Sequence, residues 1–204
     1  MELFQKFTSQ NGHIKYLLPT IICLSIQFSC SETNRLRTVT IEQFETFINE
    51  TGYVTDAEKY GWSIVQVDVY NFRKVEGATW RKPDGFNEPK SKAFPVTQIS
   101  YNDARAYCKW SGRKLPNYDE YWLLVKEDNR RINSGDKQPI SEAKHVNVLG
   151  NVWDITTTTK EGMIRLAGGS YLCSPTTCDG TKKDRTLYVD KETGNIHIGF
   201  SVVD

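Results

Sequence analysis

The segment SYNDARAYCKWSGRKLPN, residues 100–117, carries the clearest local structure in the chain. Ser100 is a typical helix N-cap, because its hydroxyl can accept a hydrogen bond from a free backbone N–H. Gly112 is a typical helix end. Between the two, one side of the predicted helix is formed by Ala104, Tyr107 and Cys108. The segment therefore predicts a short helix with one buried face.

Two further helices are predicted on either side of this segment. Thr40 and Gln43 form a capping box before a helix that ends at Gly52. Its apolar face consists of Ile41, Phe44, Phe47 and Ile48. Asn117 and Glu120 begin another helix, whose inward residues are Tyr121, Leu124 and Val125.

The remaining segments predict short strands and coil. Val65, Val67 and Val69 alternate with polar residues, as in a half-buried strand. Residues 126–145 are polar and contain Gly and Pro, which is typical of an exposed loop. Irregular structure with short strands is expected after Thr156. The predicted fold class is α+β with much coil.

Composition and charge exclude several classes of function. The 204 residues contain 26 Lys and Arg against 25 Asp and Glu, so charge gives no argument for binding nucleic acid or an anionic membrane surface. No apolar run reaches the roughly 18 residues that a spanning helix needs. Hydrophobic content is 38% and aromatic content 12% with five Trp, which favours a loop-rich fold held by aromatic residues.

Residues 1–29 are predicted to be a signal peptide, and residues 30–204 a single domain. The apolar stretch 16–28 is too short to span a bilayer, and Ser29-Cys30 resembles a bacterial lipoprotein cleavage site. The alternatives are an ordinary secreted protein, an uncleaved anchor or a misjudged start. Each predicts an exported chain in the periplasm or envelope, attached to the membrane only through a lipid on Cys30 in the lipoprotein case.

Several ordered blocks resemble the formylglycine-generating enzyme family, also called sulfatase-modifying factors. The blocks are residues 51–63, 77–83, 95–96, 100–104, 106–116, 150–154, 168–173, 194–196 and 199–200. The resemblance implies a C-type-lectin-like fold with little regular secondary structure. It also implies oxidation of a cysteine in a Cys-x-Pro-x-Arg segment to formylglycine, with dioxygen and copper. The expected partner is an unfolded sulfatase or another cysteine-containing peptide.

The same resemblance assigns four residues to the catalytic site. Cys173 and Cys178 match the two catalytic cysteines, Ser170 matches a serine beside them, and Trp153 matches a tryptophan that lines the pocket. Two thiolates suit Cu(I), a soft ion, and leave room for a substrate thiolate. The open alternative is a structural disulfide, because the chain is expected in an oxidising compartment.

The other cysteine and histidine residues have simpler interpretations. Once the predicted signal peptide is removed, His145 and His197 are too few for the three-histidine iron site of related sulfoxide synthases. Each is interpreted as a surface or packing residue. Cys108 is interpreted as a buried free thiol, because Val202 stands where animal family members carry its disulfide partner.

A structural calcium site is implied by the segment around Gly150. Its family ligands match Asn147, Gly150, Val152 and Asp154. Side-chain oxygens of Asn147 and Asp154, with two backbone carbonyls, are the hard ligands that Ca²⁺ prefers. The family usually has Glu at the position of Asp154. The alternative is a plain turn stabilised by an asparagine side chain.

The chain departs from the family pattern at the expected substrate surface. The family's opening strand with its Ile-Pro-Gly-Gly signature is missing, and Thr177 replaces a tyrosine. The segment 179–186 replaces a run rich in Arg and Tyr, with Arg185 and Thr186 near the position of a substrate-holding arginine. Two functions stay open. One is a copper-dependent oxidase, and the other is a non-catalytic envelope lipoprotein that uses the fold for binding or structure.

Overall fold

The computed structural model describes residues 35–68, 70–135, 140–174, 176 and 179–203. The predicted signal peptide, Cys30, Val69, Thr177 and Cys178 lie outside the described residues. The helices are α1 (Ile41–Thr51), α2 (Asp56–Tyr60), α3 (Tyr101–Ser111) and α4 (Tyr118–Leu124), with short 3-10 helices at Val125–Glu127 and Ala143–His145. The strands are β1 (Leu36–Thr38), β2 (Trp62–Gln66), β3 (Phe72–Glu76), β4 (Arg131–Asn133), β5 (Val146–Gly150), β6 (Trp153–Lys160), β7 (Met163–Ala167), β8 (Leu187–Val189), β9 (Ile198–Gly199) and β10 (Ser201–Val203).

The predicted helices α1, α3 and α4 are confirmed, together with their capping residues. Thr40, Ser100 and Asn117 each accept a hydrogen bond from the N3 backbone N–H. In all three helices the N3 side chain returns a hydrogen bond to the cap backbone, which satisfies two otherwise unpaired donors. Helix α2 was not predicted, although Thr55 and Glu58 form the same arrangement before it.

Within the described residues, the strands form four small sheets. Strand β1 pairs with β10, β2 with β3, and β4 with β5. The largest sheet has the order β8-β7-β6-β9, in which β6 and β9 run parallel and pair Trp153 with Ile198. This pairing brings the chain before β9 beside the start of β6, where the candidate site lies.

The main core is an aromatic cluster between α1, α3 and the end of the chain. Phe44 is fully buried and meets Trp80, Phe47 and Phe200 at centroid distances of 5.4, 5.3 and 6.3 Å. Tyr107 of α3 packs edge-on against Phe200 at 5.3 Å. Large rings bury much apolar area per residue, so few residues close this core. The expectation of a fold held by aromatic residues is confirmed.

Four sequence expectations need correction. Val67 is 63% exposed, because β2 ends at Gln66 and Val67 lies in the turn that follows. Residues 126–145 are not simply an exposed loop, since they contain β4 and the fully buried Asn133. A short strand, β1, precedes α1 although the family's opening signature is missing. The threonine run after Thr156 extends the regular strand β6. Among the described residues, none of the helices has the length and apolar character needed to cross a membrane.

Candidate functional site

A sharp glycine turn after β7 introduces the candidate cysteine segment. Gly168 and Gly169 have φ of +90° and +74°, a backbone region that disfavours residues with a Cβ. A Cβ atom on Gly168 would stand 2.1 Å from the hydroxyl oxygen of Tyr121. The turn therefore requires glycine for both conformation and space, and it aims Ser170 into the interior.

Ser170, Cys173 and His197 meet in a buried cluster. The Ser170 Oγ lies 3.8 Å from Cys173 Sγ and 3.0 Å from His197 Nδ1. The three residues are 0%, 2% and 5% exposed. Burial lowers the pKa of His197 to about 4, so its imidazole is neutral at neutral pH. The structure thus brings together two of the predicted catalytic residues and adds a histidine that was expected only to pack or face solvent.

The backbone around Cys173 is held by a turn and by a neighbouring segment. Cys173 N donates to Ser170 O at 2.9 Å, which closes the turn. Ser134 Oγ donates to Cys173 O at 2.8 Å, and Gly135 N donates to Tyr171 O at 3.1 Å. These hydrogen bonds hold the backbone of the cysteine segment, and two of them come from the neighbouring residues Ser134 and Gly135.

A buried asparagine pair extends this support. Asn133 Nδ2 donates to Asn151 Oδ1 at 2.8 Å, and Asn151 O accepts from Tyr171 N at 3.0 Å. Asn151 Nδ2 donates to Ser141 O at 3.2 Å. Although Asn133 Oδ1 has no hydrogen-bond partner among the described residues, losing the Asn133–Asn151 hydrogen bond would leave further buried polar groups unpaired. The segments around β4 and β5 therefore position the cysteine segment.

Trp153 lies behind the site. Its side chain is buried, and its backbone N donates to His197 O at 2.9 Å. The indole ring packs against Gly180, where an added Cβ would stand 3.0 Å from it. Trp153 thus forms a wall between β6 and Gly180, and its assignment as a pocket-lining residue stays a prediction.

Copper needs soft sulfur donors, and the described part of the site offers one. Cys173 is a buried cysteine beside a hydroxyl and a neutral imidazole, surroundings that suit a soft, weakly hydrated ion. Its expected partner, Cys178, lies outside the described residues. Within the described ranges there is no cluster of three or more His, Cys, Asp or Glu side chains that could hold a metal ion. Copper binding by Cys173 and Cys178 stays a prediction.

The four predicted calcium ligands have different surroundings. Asn147 Oδ1 accepts from Leu149 N at 2.8 Å, which is the turn proposed as the alternative, and its Nδ2 donates to Asp128 O. Gly150 and Val152 are both buried, and Gly150 has φ of +83°. The Asn147 amide is therefore occupied by protein groups and does not by itself form an open cation site.

Asp154, the fourth predicted ligand, is fully buried. Its Oδ2 accepts from the Tyr121 hydroxyl at 3.2 Å, whereas Oδ1 has no hydrogen-bond partner. Burial raises the pKa of Asp154 to about 7, and the hydroxyl groups of Ser201 and Tyr121 oppose this only in part. An unpartnered buried oxygen fits a cation ligand, so Asp154 is compatible with the calcium site, which stays a prediction.

The altered segment after the cysteines is tied to helix α4. The Tyr118 hydroxyl lies 2.6 Å from Lys183 O and 3.1 Å from Arg185 O. Lys183 Nζ forms an ion pair with Asp119 at 2.7 Å. The backbone of this segment therefore has a defined place beside α4, where the family resemblance expects substrate contacts.

Comparison with known families gives this geometry a context. Residues 35–124 match the model of the sulfatase-modifying factor enzyme 1-like domain. Bovine formylglycine-generating enzyme is 32% identical over an alignment of 143 positions that covers 59% of this chain. The chain is thus similar to the formylglycine-generating enzymes over part of its length, as a divergent relative.

Two further matches show the extent of this family relationship. The bovine inactive Cα-formylglycine-generating enzyme 2 is 28% identical over 203 residues, covering 72% of this chain and 66% of that protein. The solved structure of PvdO from Pseudomonas aeruginosa has a TM-score of 0.55 at 12% identity, with 81% of this chain and 77% of that chain covered. The α+β fold of sulfatase-modifying factors is thereby confirmed. The chain spans only 37% of the bovine formylglycine-generating enzyme.

The sequence did not indicate three residues of the candidate site, namely His197, Asn133 and Asn151. Their contacts join residues that are 18 positions apart (Asn133 and Asn151) and 27 positions apart (Ser170 and His197). Only Asn151 stood in a recognised block, where it was given no role. Their residue types could have indicated them, because each is a polar residue in an otherwise apolar or glycine-rich segment. Polar residues of these types seldom stay buried without a hydrogen-bond partner.

Proposed function

We propose that this chain is an oxidase of the formylglycine-generating type, acting on a cysteine in a Cys-x-Pro-x-Arg segment of an unfolded sulfatase. The observation that carries the proposal is the buried Ser170–Cys173 pair, 3.8 Å between Oγ and Sγ, behind the glycine turn. The family relationship supplies the reaction class, because relatives are named formylglycine-generating enzymes.

The reaction fixes what the site must accommodate. In the net balance, the substrate CH₂–SH group and one dioxygen give an aldehyde, H₂S and one water. This balance needs two further electrons and two protons, which a thiol reductant supplies by forming a disulfide. Cu(I) held by Cys173 and Cys178 would supply the one-electron chemistry that dioxygen requires.

The chain's own residues have separate tasks in this proposal. Cys173 presents sulfur from a position fixed by Ser134 and the Ser170 turn. Ser170 supplies a hydroxyl beside that sulfur, for a hydrogen bond to sulfur or to an oxygen species. Trp153 and the buried surroundings exclude water, which strengthens each polar contact inside the site.

The test uses the purified full chain, reduced and loaded with Cu(I), with a Cys-x-Pro-x-Arg peptide and a thiol reductant in air. Mass spectrometry is expected to show the aldehyde, which a hydrazine probe then traps. Cys173→Ser and Cys178→Ser abolish conversion, whereas Cys108→Ala, which alters a buried thiol in α3, retains it. A wild-type chain that binds no copper and leaves the peptide unchanged overturns the proposal.

A second function is favoured by one comparison. One relative, matched over 66% of its own length, is named an inactive formylglycine-generating enzyme. A non-catalytic binding or structural role therefore stands as the alternative, consistent with the replaced segment 179–186. Tight binding of the Cys-x-Pro-x-Arg peptide without conversion, measured by calorimetry on the copper-loaded chain, would favour this alternative.

A further inference from the structure

His197 is placed beside the cysteine segment by the largest sheet. Its backbone carbonyl accepts from Trp153 N at 2.9 Å, and the next residue, Ile198, pairs with Trp153 across β6 and β9. Its backbone N donates to Asn195 Oδ1 at 3.4 Å. The backbone of His197 is therefore fixed, and its Nδ1 lies 3.0 Å from Ser170 Oγ.

The Ser170 hydroxyl has limited hydrogen-bonding capacity, which links its three neighbours. A hydroxyl offers one hydrogen and two lone pairs. Leu172 N donates to Ser170 Oγ at 3.3 Å and occupies one lone pair. One hydrogen and one lone pair remain for His197 Nδ1 at 3.0 Å and Cys173 Sγ at 3.8 Å. Whichever neighbour takes the hydrogen, the other faces the lone pair.

We propose that His197 is a positioning residue whose Nδ1 accepts the Ser170 hydroxyl hydrogen and thereby turns a Ser170 lone pair toward Cys173 Sγ. An imidazole nitrogen is a strong acceptor, whereas sulfur is a weak one, and the shorter distance is the one to nitrogen. The neutral imidazole then carries its hydrogen on Nε2. The fixed backbone of His197 maintains this direction.

The position of the hydroxyl hydrogen matters for the chemistry of Cys173. The biological role inferred here for His197 rests on the proposed oxidase function. A hydroxyl hydrogen pointed at sulfur would occupy one of the sulfur lone pairs. Because His197 takes that hydrogen, the Ser170 hydroxyl does not compete with a soft ligand or an oxidant for a lone pair of Cys173 Sγ. His197 thus controls the Ser170–Cys173 contact without touching the reacting atoms.

The first test is independent of copper and of activity. In the full chain with ¹⁵N-labelled histidine, two-bond nitrogen–proton spectra report which ring nitrogen carries hydrogen. His197 is expected as the Nε2–H form, and Ser170→Ala is expected to shift the Nδ1 resonance while that of His145 stays unchanged. A His197 with hydrogen on Nδ1, or an Nδ1 resonance that ignores Ser170→Ala, overturns the proposal.

The second test measures thiol reactivity by peptide mapping after alkylation, with Cys108 as an internal reference for global opening. Asn places an amide near the Nδ1 position, Gln places it near Nε2, and Leu removes both. His197→Leu and His197→Gln are expected to raise the Cys173 rate relative to Cys108 by about twofold to threefold, because the freed hydroxyl then stabilises the thiolate. His197→Asn stays near wild type.

The double variant decides whether His197 acts through Ser170. In the Ser170→Ala background, His197→Leu is expected to cause no further change in the Cys173 to Cys108 rate ratio. A further change there, or a His197→Asn chain that behaves like His197→Leu, overturns the proposal. Because neither test requires conversion of a peptide, the inference can fail while the proposed oxidase function holds, and the reverse.

Discussion

Gly169 and Gly180 pack backbone against backbone, so that a Cβ atom on Gly180 would stand 2.5 Å from Gly169 Cα. The same added atom would stand 3.0 Å from the Trp153 ring. The two glycines flank Ser170, Cys173 and Cys178 in sequence. Their contact forms a neck that leaves no room for a side chain.

Replacing Gly180 is expected to force the two glycines of the neck apart. In Gly180→Ala the new methyl group meets backbone and a buried ring, neither of which can move freely. We expect a loss of roughly 1–3 kcal/mol in the free energy of unfolding and faster alkylation of Cys173 relative to Cys108. Gly162→Ala, where an added Cβ meets nothing within 4 Å, should leave that rate ratio unchanged. Equal ratios in both variants would show that the neck does not control the site.

The buried pair Asn133 and Asn151 is expected to hold the backbone of the segment that contains Tyr171 and Cys173. Asn133→Ala removes the 2.8 Å hydrogen bond to Asn151 Oδ1 and leaves a buried acceptor less satisfied. We expect roughly 1–3 kcal/mol of destabilisation, with faster deuterium exchange at the Tyr171 amide, which donates to Asn151 O. The matched control is Asn129→Ala, an exposed asparagine of the neighbouring segment, expected to change stability by about 0.5 kcal/mol or less. Unchanged exchange at Tyr171 in Asn133→Ala would contradict this role.

The helices could be predicted from the sequence because their signals are local. A cap and the residue three positions later lie within one turn, so Thr40 with Gln43 carries the same information in the sequence as in the structure. The strand prediction at Val67 was wrong because alternation cannot show where a hairpin turns. Asn133 lies in β4, which pairs with β5 across an intervening segment that no local pattern reveals.

The candidate site was predictable only where the family resemblance reached. Ser170 and Cys173 are close in sequence, and a turn joins them. His197 directly precedes β9, and its contact with Ser170 depends on the parallel pairing of β6 and β9. Sheet pairing of this kind is set by the packing of the whole domain, so the residue count that excluded an iron site could not indicate where His197 would lie.

Burial of His197 is expected to make stability depend on pH in the acidic range. Its pKa is about 4 in the folded chain against 6.5 as the ordinary value, so the unfolded chain binds more protons between these values. Its contribution to stability is complete above about pH 6.5 and is lost as the pH falls toward 4, up to roughly 3 kcal/mol. Denaturant unfolding of His197→Asn should therefore show a stability deficit that shrinks from pH 7.5 to pH 4.5.

Ser170→Ala provides the control for this pH dependence. It removes the hydrogen-bond partner but keeps the buried imidazole, so it should retain the slope of wild type between pH 4.5 and 6.5. The protonation of both Asp154 and His197 affects stability over this pH range. The contribution of His197 is therefore measured by the difference in unfolding free energy between the variants. A His197→Asn deficit that is constant over this pH range would contradict burial of a neutral imidazole.

The pH dependence of stability at Asp154 distinguishes a calcium ligand from a buried neutral carboxyl group. Burial raises its pKa to about 7 from an ordinary 3.8, so without a cation its contribution to stability is present below about pH 4 and lost as the pH rises through 7. In calcium-free buffer, Asp154→Asn should therefore gain stability relative to wild type between pH 5 and pH 8, since an amide carries no charge to desolvate. Thermal unfolding at the two pH values measures this change.

Calcium is expected to reverse this ranking at pH 8, because a cation beside the unpartnered Asp154 Oδ1 offsets the cost of a buried charge. A ligand present at about 100 times its dissociation constant stabilises the folded state by about 2.7 kcal/mol. Millimolar Ca²⁺ should accordingly raise the melting temperature of wild type but not that of Asp154→Asn, while Mg²⁺, which demands tighter octahedral geometry, has less effect. An unchanged wild-type melting temperature would show that Asn147 keeps its hydrogen bond to Leu149 and that this segment functions as a turn without calcium.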